Sequence, residues 1–471
     1  MKKELFSRKA LMNLIIPLIA ELALKLVVGM IDSMMISSSG EAAVSAVYLV
    51  DSIIQLLIYV FAAVAAGGAI VAGQYLGAGR KQDAEHAANE LMWLNALISI
   101  AVMLLILPTS NTILKIFGAV EEDVYRYAHK YYMYVMLSIP AIAIFEAGSS
   151  ILRTVNQTKI TLKLSLMMNL INCVGNAILI YGLSMDTAGA AIATTVSRWT
   201  AAIFVLVILT NQDRELYVEK TLRHRLDGAT AKKICALGIP GGIENGIFQL
   251  GKIMVLSLTA TFGTSAIAAN TVAQTLSSIE VVPGSAISLA MVTVIARAMG
   301  TGDMEQVKAY NLKMLRISYA MIWVWSAIMC AGLPFIVSLY NLTEETAQIT
   351  YKLFMLHTLG SITLWPLAWN QPAALRAAGD VRFPMVISIL SMWIMRYGGA
   401  YLLGSGLGLG VVGVWIAMAV LDWGFRGTIF AARWHSGKWQ DKGILKKAAP
   451  PQGSPVQSIT QKPASRQMTS A

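Results

Sequence analysis

The sequence predicts an all-α polytopic membrane protein: twelve transmembrane helices in two pseudo-symmetric six-helix lobes around a central cavity. Three observations predict it. The 471-residue chain is 56% hydrophobic and only 13% charged, where soluble domains carry about 25% charge. Its Lys and Arg residues gather in alternate connections between the apolar runs. Its second half repeats its first at a fixed offset.

Runs long enough to cross a bilayer lie near 11–36, 43–73, 88–108, 129–149, 162–182 and 187–210, then near 234–262, 266–296, 312–338, 349–371, 384–404 and 408–432. The start, MKKELFSRK before an apolar run, mimics a secretory signal, but the run is too long and recurs in the second half, so it reads as a retained first helix. The lobes span 1–210 and 234–434. A cytoplasmic linker, 211–233, joins them, and a polar tail, 435–471, is expected to be disordered. With the amino terminus inside, inner connections and tails hold 27 Lys and Arg residues and outer ones four. Both termini are therefore expected in the cytoplasm, in a cytoplasmic membrane. The net charge of +11 is a topology signal and calls for no nucleic acid. Cys173, Cys235 and Cys330 show neither CxxC nor His spacing, so no disulfide frame or metal site follows.

A shift of 223 residues lays Pro17 on Pro240, Glu21 on Glu244, Gly77 on Gly300 and Arg153 on Arg376. One inserted residue later, Gly189 and Trp199 meet Gly413 and Trp423. Six helices per half keep equivalent helices parallel, a plan of secondary transporters whose site lies between repeats.

Helix one carries the first candidate site. Glu21 and Lys25 lie about 40° apart round its axis, and Glu21 and Asp32 about 20°. Each charge in a bilayer costs about 2.5–3.5 kcal/mol before pairing. The stripe therefore faces water or a partner. Glu21 with Lys25 reads either as part of that wet stripe or as a structural ion pair; Asp32 has no base one turn away. The first two helices of each half contribute Glu21, Lys25, Asp32, Asp51, Glu244, Lys252 and Glu280, five acids against two bases. Facing one chamber, they would favour cations. In helix five Asn169, Asn172 and Asn176 share a face and offer oxygens suited to a hard cation. Arg198 and Asp422 occupy matching places, with local pairing preferred to contact between halves. Glu90 and Glu146 are expected to snorkel to water. Pro17 and Pro240 each remove a backbone bond and invite a bend. No GxxxxGK[ST], GxSxG or HExxH pattern is present, so the chain reads as no enzyme, without cofactor and without ATP drive.

These residues resemble the multidrug and toxic compound extrusion (MATE) family. The features are Pro17 fifteen residues before Ile31-Asp32-Ser33; GQYLGAGRKQDA answered by ARAMGTGDMEQV; SILRTVNQTKIT and PAALRAAGDVRFP; and NxxxNxxLIYG from Asn172. The resemblance implies two lobes round a V-shaped cavity and export of organic, often cationic and amphipathic, compounds in exchange for H⁺ or Na⁺, by a monomer in the bilayer. It places the ion site on Asp32, Asn172, Asn176 and Thr194. Asn176 replaces an aspartate of some relatives, which removes a charge from sodium binding. Phe248 and Gln249 stand where the sodium-coupled branch has a glutamate, and no acid lies near Trp365. Gln249 is thus a cavity candidate and not a second ion ligand. The alternative function is a flippase for a lipid-linked precursor, which would call for a basic cavity.

Overall fold

A computed structural model describes residues 4–118, 121–220 and 224–445. Among them every regular element is helical. In chain order these are α1, Arg8–Ser37; α2, Glu41–Gly77; α3, Lys81–Ile106; α4, Glu122–Thr154; α5, Thr158–Gly182; and α6, Asp186–Leu209. A seven-residue helix, Ser110–Ile116, lies between α3 and α4. Then come α7, Gly228–Ala260; α8, Thr264–Glu280, resuming past Val281 as Val282–Gly300; and α9, Met304–Ser338. The last are α10, Glu344–Thr363, continued by Pro366–Asn370 and Gln371–Ala377; α11, Arg382–Gly406; and α12, Gly410–His435.

Ten helices are long and apolar enough to cross a membrane. The two outside that count are α7 and α10. The first carries Lys232, Lys233, Glu244 and Lys252, the second Glu344, Glu345, Lys352 and His357. These charged and polar side chains lower their apolarity; of them Glu244 and His357 are buried.

The halves meet through small residues. A methyl on Gly67 of α2 would overlap backbone at Ile234 and Gly238 of α7, and one on Gly238 would overlap Ala63 and Val64. At the ends of α2 and α8, Gly77 lies against the Arg297 carbonyl and Gly300 against that of Gln74. Gly77 and Gly300 are the two positions that the 223-residue shift superposes, so equivalent glycines of the repeats touch.

The helix α1 runs unbroken through Pro17. Proline there cannot bond the carbonyl four residues back, Asn13. The Thr158 hydroxyl donates to that carbonyl at 3.1 Å, and lies 3.2 Å from Leu14 O. An α5 side chain thus takes over the bond that the proline removed. Thr158→Val should cost about 1–3 kcal/mol, because a buried carbonyl loses its donor, and a lowered melting temperature of the detergent-purified protein would show it.

Two expectations about polar segments are corrected. Glu90 does not reach water: it is fully buried and binds His224 Nε2 and the Asp227 backbone, drawing the connection between halves onto α3. Asp227 in turn caps α7, accepting from Thr230 Oγ1 at 2.6 Å and from the amides of Ala229 and Thr230. These bonds, the Thr230 hydroxyl foremost, hold its carboxyl below the usual range. The tail from 435 begins as packed structure. Trp439 is fully buried, stacked on Trp434 at 4.1 Å, and Ile444 N donates to Gln74 Oε1 at 2.9 Å. Aromatic burial outweighs the polar composition as far as Leu445; the rest of that expectation falls outside the described residues.

Candidate functional site

Asp32 comes from α1, Asn172 and Asn176 from α5, and Thr194 from α6. The structure brings all four together. Asn176 Nδ2 donates to Asp32 Oδ1 at 3.0 Å. The Asn172 amide has one end 3.0 and 3.1 Å from the two carboxylate oxygens and the other 3.0 Å from Thr194 Oγ1. A carboxylate can only accept, so the NH₂ faces Asp32 and the Thr194 hydroxyl donates to the amide oxygen. Asn176 Oδ1 is buried and makes no hydrogen bond. The spacing of four that puts the two Asn residues on one face of α5 is what lets both reach one carboxylate.

This cluster borders a cavity of about 320 Å³, whose lining includes Lys25, Asp32, Asp51, Asn169, Tyr131 and Arg198. Tyr131 Oη donates to Asp51 at 3.0 Å, and Arg198 Nη1 donates to Ser138 at 2.9 Å. Asp32 makes no ion pair with a basic side chain among the described residues, the nearest polar partners being the two amides. Its carboxylate is neither turned away from the cavity nor locked to a base.

The expected single acid-rich chamber is not what forms. Glu21 is buried outside the cavity, accepting from Thr161 Oγ1 at 2.9 Å, with Arg153 at 3.9 Å and Lys25 at 4.0 Å. Glu244 pairs with Arg376 at 3.0 Å. Glu280 is fully buried between Ser326 Oγ and His357 Nδ1, each at 2.6 Å. These three acids are removed from the list of cavity groups for one reason: each satisfies its charge against a base or donor of another helix. Lys25 and Asp51 do line the first cavity. Gln249 and Lys252 line a second, of about 310 Å³, with Asn270, Gln274, Arg396 and, from α2 of the other half, Tyr48.

Lys25 was read as a partner of Glu21, but the arginine partners, Arg153 of Glu21 and Arg376 of Glu244, escaped sequence reasoning, although a signal was present. Arg153 and Arg376 are related by the same 223 residues that relate the acids, so an acid and a base repeat together. Arg198 and Asp422, at matching places, do pair locally: Asp422 accepts from Arg396 Nε at 2.9 Å and Ser391 Oγ at 2.5 Å. Pro240, like Pro17, sits inside an unbroken helix.

The sequence model of the MatE family matches residues 17–178 and again 240–402, two segments whose starts differ by the repeat offset read from the chain. The uncharacterized transporter YisQ of Bacillus subtilis is 26% identical, covering 94% of this chain and 98% of its own. A probable multidrug resistance protein NorM of Thermotoga maritima is 24% identical over 93% and 95%. A solved outward-facing conformation of a multidrug resistance MATE family transporter of the MOP superfamily superposes with a TM-score of 0.84 at 21% identity, covering 91% of this chain and 96% of that one. A MATE structure in the bent conformation does so with a TM-score of 0.84 at 20% identity, over 93% and 97%. The twofold match, covering most of the sequence, makes this chain a member of the MatE family, and so an integral membrane transporter and not an enzyme.

Proposed function

We propose that the protein is an ion-coupled antiporter that exports organic, cationic and amphipathic compounds by alternating access. Two six-helix lobes, 1–210 and 234–434, joined by the 211–233 linker, rock against each other. The protein acts as a monomer in the cytoplasmic membrane with both termini inside. The observation that supports this reading is Asp32: an acid on a cavity wall, held by two amides and free of any basic partner.

The local chemistry suggests how the ion acts. Both amides donate to the ionised carboxylate. A proton on Asp32 Oδ2 would put a donor against the Asn172 NH₂, whose amide must then turn, while Oδ1 still accepts from Asn176. Protonation therefore rearranges the contact of α1 with α5 and, through Asn172 and Thr194, with α6. A Na⁺ instead finds carboxylate oxygens and the unpartnered Asn176 Oδ1, oxygen donors of the kind a hard cation takes. Either ion has a different affinity for the two states of the α1–α5 contact, and only such a difference drives a cycle. The names of the relatives, multidrug resistance proteins among them, point to drug-like cargo. The flippase alternative finds no support in them.

Proteoliposomes loaded with a cationic dye separate the cases when the pH and sodium gradients are imposed one at a time. We expect one of the two gradients to drive export. Equal dye movement with and without either gradient would overturn the antiporter reading.

A further inference from the structure

The second cavity differs in polarity from the first. At the repeat offset of 223, Val255 stands where Asp32 does, Gln274 where Asp51 does, and Lys252 where Gly29 does. At 224, the offset that also lays Gly175 on Gly399 and Gly182 on Gly406, Arg396 stands where Asn172 does. A carboxylate held by amides in one half is thus answered by two cations in the other. Lys252 and Arg396 line both the 310 Å³ cavity and an adjoining one of about 190 Å³, and neither lining includes an Asp or Glu.

Neither cation is fully satisfied within the protein. Lys252 makes no hydrogen bond or ion pair among the described residues, and its charged neighbour is another cation, Arg396. Arg396 uses Nε for Asp422 and lies 5.1 Å from the Phe248 ring, which leaves its two terminal amino groups without an acceptor in the protein. It is set at the wall by a π-helical turn, Ser391–Gly398, a distortion common at functional sites. Arg376 and Arg426 add two more cations, against the carboxylates of Glu244 and Asp422. Even with Glu280 ionised and His357 neutral, the charge here stays positive. Cations against low-dielectric walls without a counterion are costly, so the cavity favours an anionic occupant.

We infer that Lys252 and Arg396 form an oxyanion subsite for transported compounds that bear a carboxylate, sulfonate or phosphate monoester as well as a basic nitrogen. Aromatic walls suit the body of such a molecule: Phe248, Trp365 and Trp369 line the adjoining cavity. Asp422 acts as a positioning residue that fixes the guanidinium through Nε. The inference rests on the antiporter reading and adds zwitterions to the cationic compounds it carries.

The test is binding to the full-length protein in neutral detergent, followed by calorimetry with a matched pair of probes: an aromatic amine bearing a carboxylate, and its methyl ester. The wild type should prefer the acid by about tenfold, the scale of one charge-assisted hydrogen bond. Lys252→Gln should erase the preference and Lys252→Arg keep it, with melting curves showing that each variant is folded. Equal binding of acid and ester by the wild type, or an undiminished preference in Lys252→Gln, would overturn the subsite. Displacement of the acid by short-chain phosphatidylglycerol and not by phosphatidylcholine would assign the cations to a lipid headgroup and overturn it too. Gradient-driven export of the cationic dye by a protein with no acid preference sinks this inference alone; absence of gradient-driven export by the wild type sinks the antiporter reading beneath it.

Discussion

Asp32→Asn is expected to abolish gradient-driven efflux while leaving a folded, membrane-inserted protein. The substitution preserves size, so the packing of α1 on α5 has no cavity to absorb. It removes the one cavity-lining acid that has neither a base nor a tyrosine as partner; Asp51, the other acid of that wall, is held by Tyr131. Asparagine cannot take up a proton and offers a Na⁺ a neutral oxygen in place of a charged one. It also turns one acceptor into an NH₂ that faces the amides of Asn172 and Asn176, mimicking the protonated form in hydrogen bonding. The variant should therefore be trapped on one side of the cycle: dye export falls to that of empty liposomes, while equilibrium exchange in the absence of a gradient survives better than net export. Asp32→Glu should retain part of the export, since it keeps a titratable group on the same wall. Undiminished gradient-driven efflux by Asp32→Asn would remove this carboxylate from the mechanism.

Much of this site could be read from residue order, and the parts that could not share a cause. The apolar runs and the offset of 223 were legible in the chain; that the aligned Gly77 and Gly300 touch is a finding of the structure. Helical spacing put Asn172 and Asn176 on one face; grouping them with Asp32 and Thr194 came from the family resemblance. Chamber polarity was not legible. It depends on which acids find partners on other helices, and Glu280 with His357 joins residues far apart in the chain that no periodicity relates. Counting acids treated each as free; the fold leaves only Asp32 and Asp51 at the cavity walls and turns cations into the second half. The π-helical turns that place Arg396 and Asp422 also shift a side chain's direction without altering the spacing of apolar residues, so they leave little mark on the sequence.

Removal of the Asp422 carboxylate should be among the most destabilising single changes in the second half. Asp422 is fully buried, Arg396 nearly so, and Arg426 is 1% exposed with Nε and Nη1 lacking any hydrogen-bond partner. Arg426 faces the charges of Asp422 and Glu244, the latter at 4.0 Å. Asp422→Ala would strand one guanidinium outright and weaken the field on a second. Breaking a buried pair from one side costs about 3–5 kcal/mol, whereas replacing both partners with apolar groups can be near neutral. The double variant Asp422→Ala with Arg396→Met should therefore melt above the single variant, although it has lost more of the native polar network. That ordering separates an ion pair from simple packing: if volume alone mattered, the second substitution would add to the damage. Melting of detergent-purified protein reads it directly, and a single variant as stable as wild type would show that Arg396 finds another anion or water. Because Arg396 also forms the oxyanion subsite, the double variant should discriminate poorly between acid and ester even where its stability recovers, so the same carboxylate serves the fold and, through one guanidinium, the choice of cargo.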